Sequence, residues 1–248
     1  MMRHTYARRS VATWQASIAA LLVAAAPSGS AQAAGGAYAV DDAEVGAPGA
    51  CKVETWGSFA DNSDRIGVLA PACVVNIFKP VELGVQIARS RADHVWATDG
   101  AVKGKVNILP VETGKIAVGL VGGVGFDLLA GDTANVFVLV PFTYQISEQF
   151  RINVNAGWLR ETEERQNFFT WGAGFEWKPV EPVTLIAEVF GQAGHGQSDP
   201  RFQAGVRFTP RDWFDIDVIY GRNITGEDAN WITLGLTVRF DVAARSLF

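Results

Sequence analysis

The chain has 248 residues, 48% of them hydrophobic, with 26 glycines, eight tryptophans, and 21 basic against 26 acidic side chains. A net charge of −5 argues against nucleic acid as a partner. Two cysteines are too few for a disulfide scaffold or a zinc site, and no stretch after residue 33 is long and apolar enough to cross a membrane as a helix.

Residues 1–33 read as a cleaved secretory signal. Arg3, Arg8 and Arg9 form a positive start, Ser17 to Ala26 a short apolar run, and Ala31 to Ala33 an A-x-A cleavage site. The run is about half the ~20 residues of a spanning helix. Cleavage would leave residues 34–49 as a periplasmic N-terminal segment, 50–240 as one domain and 241–248 as a short C-terminal tail.

Period-two alternation broken by turn residues predicts twelve strands, near 50–60, 64–78, 81–92, 97–109, 115–126, 134–146, 149–161, 167–178, 182–192, 201–209, 212–222 and 230–240. Most are longer than strands of soluble sheets and match the ~9–11 tilted residues that a bilayer requires. The connections alternate. Short turns at 79–82, 110–114, 147–149, 178–182 and 209–212 interleave with more polar segments at 90–99, 127–134, 160–167, 191–200 and 221–230, with only 61–64 short in the second set. That rhythm points to an all-β transmembrane antiparallel barrel of about 12 strands, both termini periplasmic, in the outer membrane of a Gram-negative bacterium.

The faces agree with an inside-out protein. Phe150, Ile152, Val154 and Trp158 oppose Arg151, Asn153 and Asn155; Phe169, Phe175 and Trp177 oppose Thr170, Gly174 and Glu176; Ile232, Leu234, Leu236, Val238 and Phe240 oppose Thr233, Gly235 and Thr237. The apolar faces are expected to meet lipid, with Trp56, Trp96, Trp158, Trp177 and Trp213 in interfacial belts. The strands 64–78 and 134–146 alternate too poorly for their faces to be assigned.

The polar faces predict a lumenal charge cluster of Arg151, Glu176, Arg207, Asp215, Asp217 and Arg239. It would act either as a selectivity or gating element or as an ion-pair network bracing a small barrel. Inward glycines at 84, 119, 157, 172, 174, 205 and 235 leave room in the lumen, or mark curvature or the close approach of an aromatic. Cys51 and Cys73 lie symmetrically about Asn62, so a tight hairpin would set them opposite one another as a disulfide; the alternative is two small buried residues.

An enzyme would have to start from histidine. His94 and His195 fall in different loops, and His195 to Ser198 reads as solvated loop rather than as a base and nucleophile. Neither histidine has a second one at ligand spacing, and the glycine-rich 119–126 lacks a Walker lysine and a following helix, so no catalytic residue, metal or cofactor is assigned.

The C-terminal strand resembles the signal by which the barrel assembly machinery recognises outer-membrane proteins, with Thr233, Gly235, Val238 and Phe240 at its positions and residues 241–248 following. Asp41 and Asp42, then Gly46 and Gly49, then Glu54, together with Phe78 to Val85, resemble a family of outer-membrane proteins named for a role in the meta-pathway of phenol degradation. The resemblance implies a barrel of about 12 strands passing small hydrophobic or aromatic molecules. Expected partners are therefore outer-membrane lipid and lipopolysaccharide, the assembly machinery and a small hydrophobic solute, the alternative being a plugged structural or surface-interaction barrel.

Overall fold

The computed structural model describes residues 37–194 and 197–242. The expected signal at 1–33, His195 and most of the tail lie outside these residues. Twelve strands follow in order: β1 (Ala50–Ala60), β2 (Arg65–Asn76), β3 (Pro80–Ala92), β4 (Val95–Leu109), β5 (Ile116–Asp127), β6 (Asp132–Ser147), β7 (Phe150–Glu161), β8 (Asn167–Val180), β9 (Val183–Gly194), β10 (Arg201–Arg211), β11 (Phe214–Asn223) and β12 (Asn230–Asp241). Each is antiparallel to its neighbours, and β12 pairs with β1 from Ala50–Asp241 to Ala60–Trp231, closing the barrel. A two-residue ladder, Gln197–Ser198 on Gly194 and Ala193, decorates the β9–β10 loop.

Closure satisfies the backbone of every strand without an edge, which is what a bilayer demands. The side chains then sort as the alternation predicts. Along β12, Ile232, Leu234, Leu236, Val238 and Phe240 are exposed, whereas Thr233 and Thr237 are buried. Elsewhere Ile152, Val154, Trp158, Phe175, Trp177 and Phe208 face outward, and Asn153, Asn155, Glu188, Gln203, Asp215 and Asp217 are buried inside. Water would oppose so wide an exposed apolar band, and a hydrocarbon layer accommodates it.

β2 and β6 resisted assignment because the inward face of β2 is apolar and that of β6 is apolar from Phe137 to Pro141. Val68, Ala70, Ala72 and Val74 point inward on β2, and Phe137 and Leu139 on β6, against outward Leu69, Val138, Phe142 and Tyr144. These inward residues build two internal clusters, one around Trp56, Val68, Ala70, Ile186 and Ile219, the other of Val121, Phe137, Leu139, Leu159 and Phe168. Trp56 is therefore a correction: it is 7% exposed, inside the barrel rather than in an interfacial belt, because it shares the inward parity of Glu54.

The connections also differ from expectation. The segment 90–99 is almost entirely strand, and β3 turns into β4 through Asp93 and His94 alone, both with positive φ, the backbone of a tight two-residue hairpin. One end of the barrel carries residues 77–79, 110–115, 148–149, 181–182 and 212–213, hereafter the turn end. The other, the loop end, carries 61–64, 93–94, 128–131, 162–166, 197–200 and 224–229.

Candidate functional site

The lumen is occupied by the chain itself. Residues 37–44, expected to belong to a periplasmic segment, lie inside the barrel, with Ala37, Tyr38, Val40, Asp41 and Ala43 all buried. The segment has no secondary structure of its own, so its backbone polar groups need partners from the wall. Inward side chains supply them. The Glu188 carboxylate accepts the N–H of Ala39 at 2.6 Å and of Val40 at 3.0 Å; Asn155 accepts the N–H of Asp41 at 2.7 Å and donates to its carbonyl at 2.7 Å. Thr143 Oγ1 accepts the N–H of Ala43 at 2.9 Å, and Asn107 donates to the Ala43 carbonyl at 2.5 Å.

Charge fixes the register of this segment. Lys105 Nζ lies 2.9 Å from Asp41 Oδ1 and 2.9 Å from Asp42 Oδ1. Arg151 reaches Asp42 at 3.2 Å, Glu44 at 3.3 Å and its cross-strand partner Glu176 at 2.8 Å. Moving the acidic pair outside would leave Lys105 as a buried cation, which is the physical reason the segment enters the barrel rather than hanging free.

Three of the inward glycines make room for it. A Cβ on Gly172 would stand 2.8 Å from Val40 Cγ2, one on Gly119 would stand 3.3 Å from Ala43 Cα, and one on Gly235 would stand 3.2 Å from Ala37 Cβ. The reading of room in the lumen applies at these positions, and the occupant is the N-terminal chain. Gly157, Gly174 and Gly205 instead meet neighbouring strand atoms.

The predicted charge cluster falls into two groups. Arg151 and Glu176 join the acidic pair. Arg207 donates to its register partner Asp217 at 2.8 and 3.2 Å and lies 3.7 Å from Asp215, while Arg239 pairs with Asp215, which also accepts from Thr209 at 2.8 Å. The Arg207 guanidinium stands 5.2 Å from the centre of the Tyr38 ring, so the second group also touches the segment. Of the assembly-signal positions, Thr233 and Gly235 face inward, where Thr233 bonds Ser58 at 2.6 Å, and Val238 and Phe240 face outward. Cys51 and Cys73 are register partners joined by a disulfide.

Sequence reasoning missed Lys105, Thr143 and Glu188 as contacts of the segment, and gave Asn153 and Asn155 only as polar-face residues. Their signal was inward parity. Nothing in period two says which inward groups share a ligand. His94 sits in the exposed β3–β4 turn with Arg91 at 2.8 Å, and no group of three potential metal ligands occurs among the described residues.

Several solved structures share this fold. The KdgM porin in complex with disordered oligogalacturonate aligns with a TM-score of 0.62 at 8% identity, covering 76% of this chain and 99% of that one. The NanC porin gives 0.60 at 9% identity, covering 75% and 98%, and an outer membrane channel from Pseudomonas putida F1 gives 0.60 at 11%, covering 80% and 98%. At such identities the likeness is one of fold: this is a twelve-stranded β-barrel of the outer-membrane type. No curated protein matches the sequence. Residues 22–240 match a family described as uncharacterised conserved protein UCP029691, and the chain belongs to that family.

Proposed function

We propose that the protein passes a small apolar or aromatic solute across the outer membrane, along one flank of its own N-terminal segment. The observation that carries this reading is a set of four cavities among the described residues, placed from the loop end to the turn end of the barrel. The first, of about 200 Å³, opens at the loop end among Trp56, Trp231, Phe190 and Arg201. A second, of about 70 Å³, shares Phe190 and Arg201 with it and adds Phe137, Leu139 and Leu159. The third, of about 30 Å³, lies beside Tyr38 and Val40 against Arg151 and Glu176, and the fourth, of about 190 Å³, shares those last two residues and opens at the turn end.

The narrowest space, of about 30 Å³, has room for only about two waters, so an aromatic ring passes only when residues 37–44 shift. Phe137, Leu139, Leu159 and Phe190 line the second cavity and support an apolar solute over a sugar, while the two wide mouths carry charged groups such as Arg201, Glu148 and Lys178. The porin fold of the neighbours supports passage, and the resemblance of the N-terminal stretch to the phenol-degradation family supports an aromatic. In this reading the loop end faces outward and the turn end the periplasm.

A second reading, a permanently closed structural barrel, is favoured by the number of bonds that hold the segment. Vesicle uptake separates the two. The wild type and a loosened Glu188→Ala variant are refolded into vesicles and offered a small aromatic and a small sugar. Gated passage predicts aromatic uptake that rises in the variant while the sugar stays excluded. No uptake of either solute by either protein would establish the closed barrel.

A further inference from the structure

The wall at the loop end carries a basic cluster with outward parity, two of whose members, Arg65 and Arg91, also reach the rim of the loop-end cavity. Arg65 on β2 and Arg91 on β3 are direct register partners, and Arg89 is two residues along β3 from Arg91. All three have outward parity, alternating with inward Ile66, Ala88 and Ser90. Like charges placed directly opposite one another are destabilising in a sheet unless an anion lies between them. Asp64 and Asp93 occupy the adjoining turns, but among the described residues none of the three guanidiniums lies within ion-pairing distance of a carboxylate. Their side-chain hydrogen bonds are neutral, Arg89 to Thr98 and Arg91 to His94. By contrast the inward arginines Arg151, Arg201, Arg207 and Arg239 are all ion-paired.

The cluster is held rather than loose. The guanidiniums of Arg65 and Arg89 stand 5.1 and 5.0 Å from the centre of the exposed Trp96 ring, a double cation–π contact that orients both. Between them Gly67 leaves a dent, since a Cβ there would meet nothing within 4 Å. Along the same strands the surface turns apolar, with Leu69, Ile87, Val85 and Val102 exposed. Oriented guanidiniums above an apolar wall match a ligand with phosphates at one end and hydrocarbon at the other.

We propose that Arg65, Arg89 and Arg91, with Trp96, form a site for the phosphorylated headgroup of a glycolipid in the outer leaflet. The phosphate sits between the opposed arginines, and an acyl chain lies on Leu69 and Ile87. The proposal rests on the loop end facing outward and is independent of whether the lumen conducts.

The test uses detergent-solubilised full-length protein and native mass spectrometry, with bisphosphorylated lipid A and its phosphate-free analogue as probes. The wild type is expected to retain the phosphorylated lipid at least tenfold better than the analogue. Arg65→Gln/Arg89→Gln/Arg91→Gln is expected to abolish that preference, and Lys115→Gln at the turn end to leave it intact. Should the triple variant fail to fold, the single Arg91→Gln variant is expected to reduce the preference several-fold. Equal retention of both lipids by the wild type, or an unchanged preference in the folded arginine variants, would overturn the site.

Discussion

Glu188 is a buried carboxylate with no ion pair among the described residues, and it is satisfied by two backbone N–H groups of the lumenal segment and by Gln203. Removing it orphans both donors, a cost of about 1–3 kcal/mol. Glu188→Ala is therefore expected to lower the urea midpoint in vesicles and to speed labelling of a cysteine placed at Val40; unchanged labelling would deny Glu188 its holding role. Lys105 has larger consequences, because it bridges two acids of which Asp41 is fully enclosed. Lys105→Met leaves that charge unpaired and should cost about 3–5 kcal/mol of stability in the same assay. At the loop end Asp61 accepts from Asn230 N–H at 3.1 Å and Nδ2 at 2.8 Å, bonds that hold its pKa below the ordinary carboxylate value. A lowered folded pKa means that this pin on the β1–β12 seam is complete above the unfolded value of ~3.9 and is lost as pH falls through the folded one. The residue-level contacts were hard to read in the sequence because Asp41 meets Lys105 and Asn155 across 64 and 114 residues.

At the scale of elements, strand positions were legible almost throughout, since period two is imposed by lipid on one side and a polar lumen on the other. Legibility failed where that contrast fails: at β2 and the middle of β6, whose inward side chains are apolar, and at 90–99, where polar residues continue two strands into a two-residue turn. The segment 37–44 was opaque for another reason, as it has no repeat and takes its conformation from side chains on β4, β6, β7 and β9. Its fit depends on the wall. Gly172→Leu would drive a side chain into Val40, and should expose the segment to protease while the barrel keeps its strand signal by circular dichroism; full protection would contradict the close packing. The Cys51–Cys73 bond joins strands already paired along their whole length, so Cys51→Ser/Cys73→Ser should still fold, with a loss of about 2–4 kcal/mol.

Taken as a whole molecule, the barrel is a sheet whose interior is too polar to be dry and too narrow to be an open pore, and the chain resolves this by folding its own N-terminal segment into it. Acid meets base along the lumen, apolar clusters fill the loop-end half, and a line of small cavities remains beside the segment. Passage by the proposed route requires that segment to be a movable occupant. The requirement is tested most directly by tethering it. In a Cys51→Ser/Cys73→Ser background, Ala37→Cys and Gly235→Cys would bring two Cβ atoms about 3.2 Å apart, close enough for a bond after a small adjustment. Uptake of a small aromatic by vesicles carrying this variant would be measured oxidised and then reduced. Gated passage predicts little uptake when the tether is closed and a several-fold rise on reduction; the same uptake in both states would show that the segment does not govern passage.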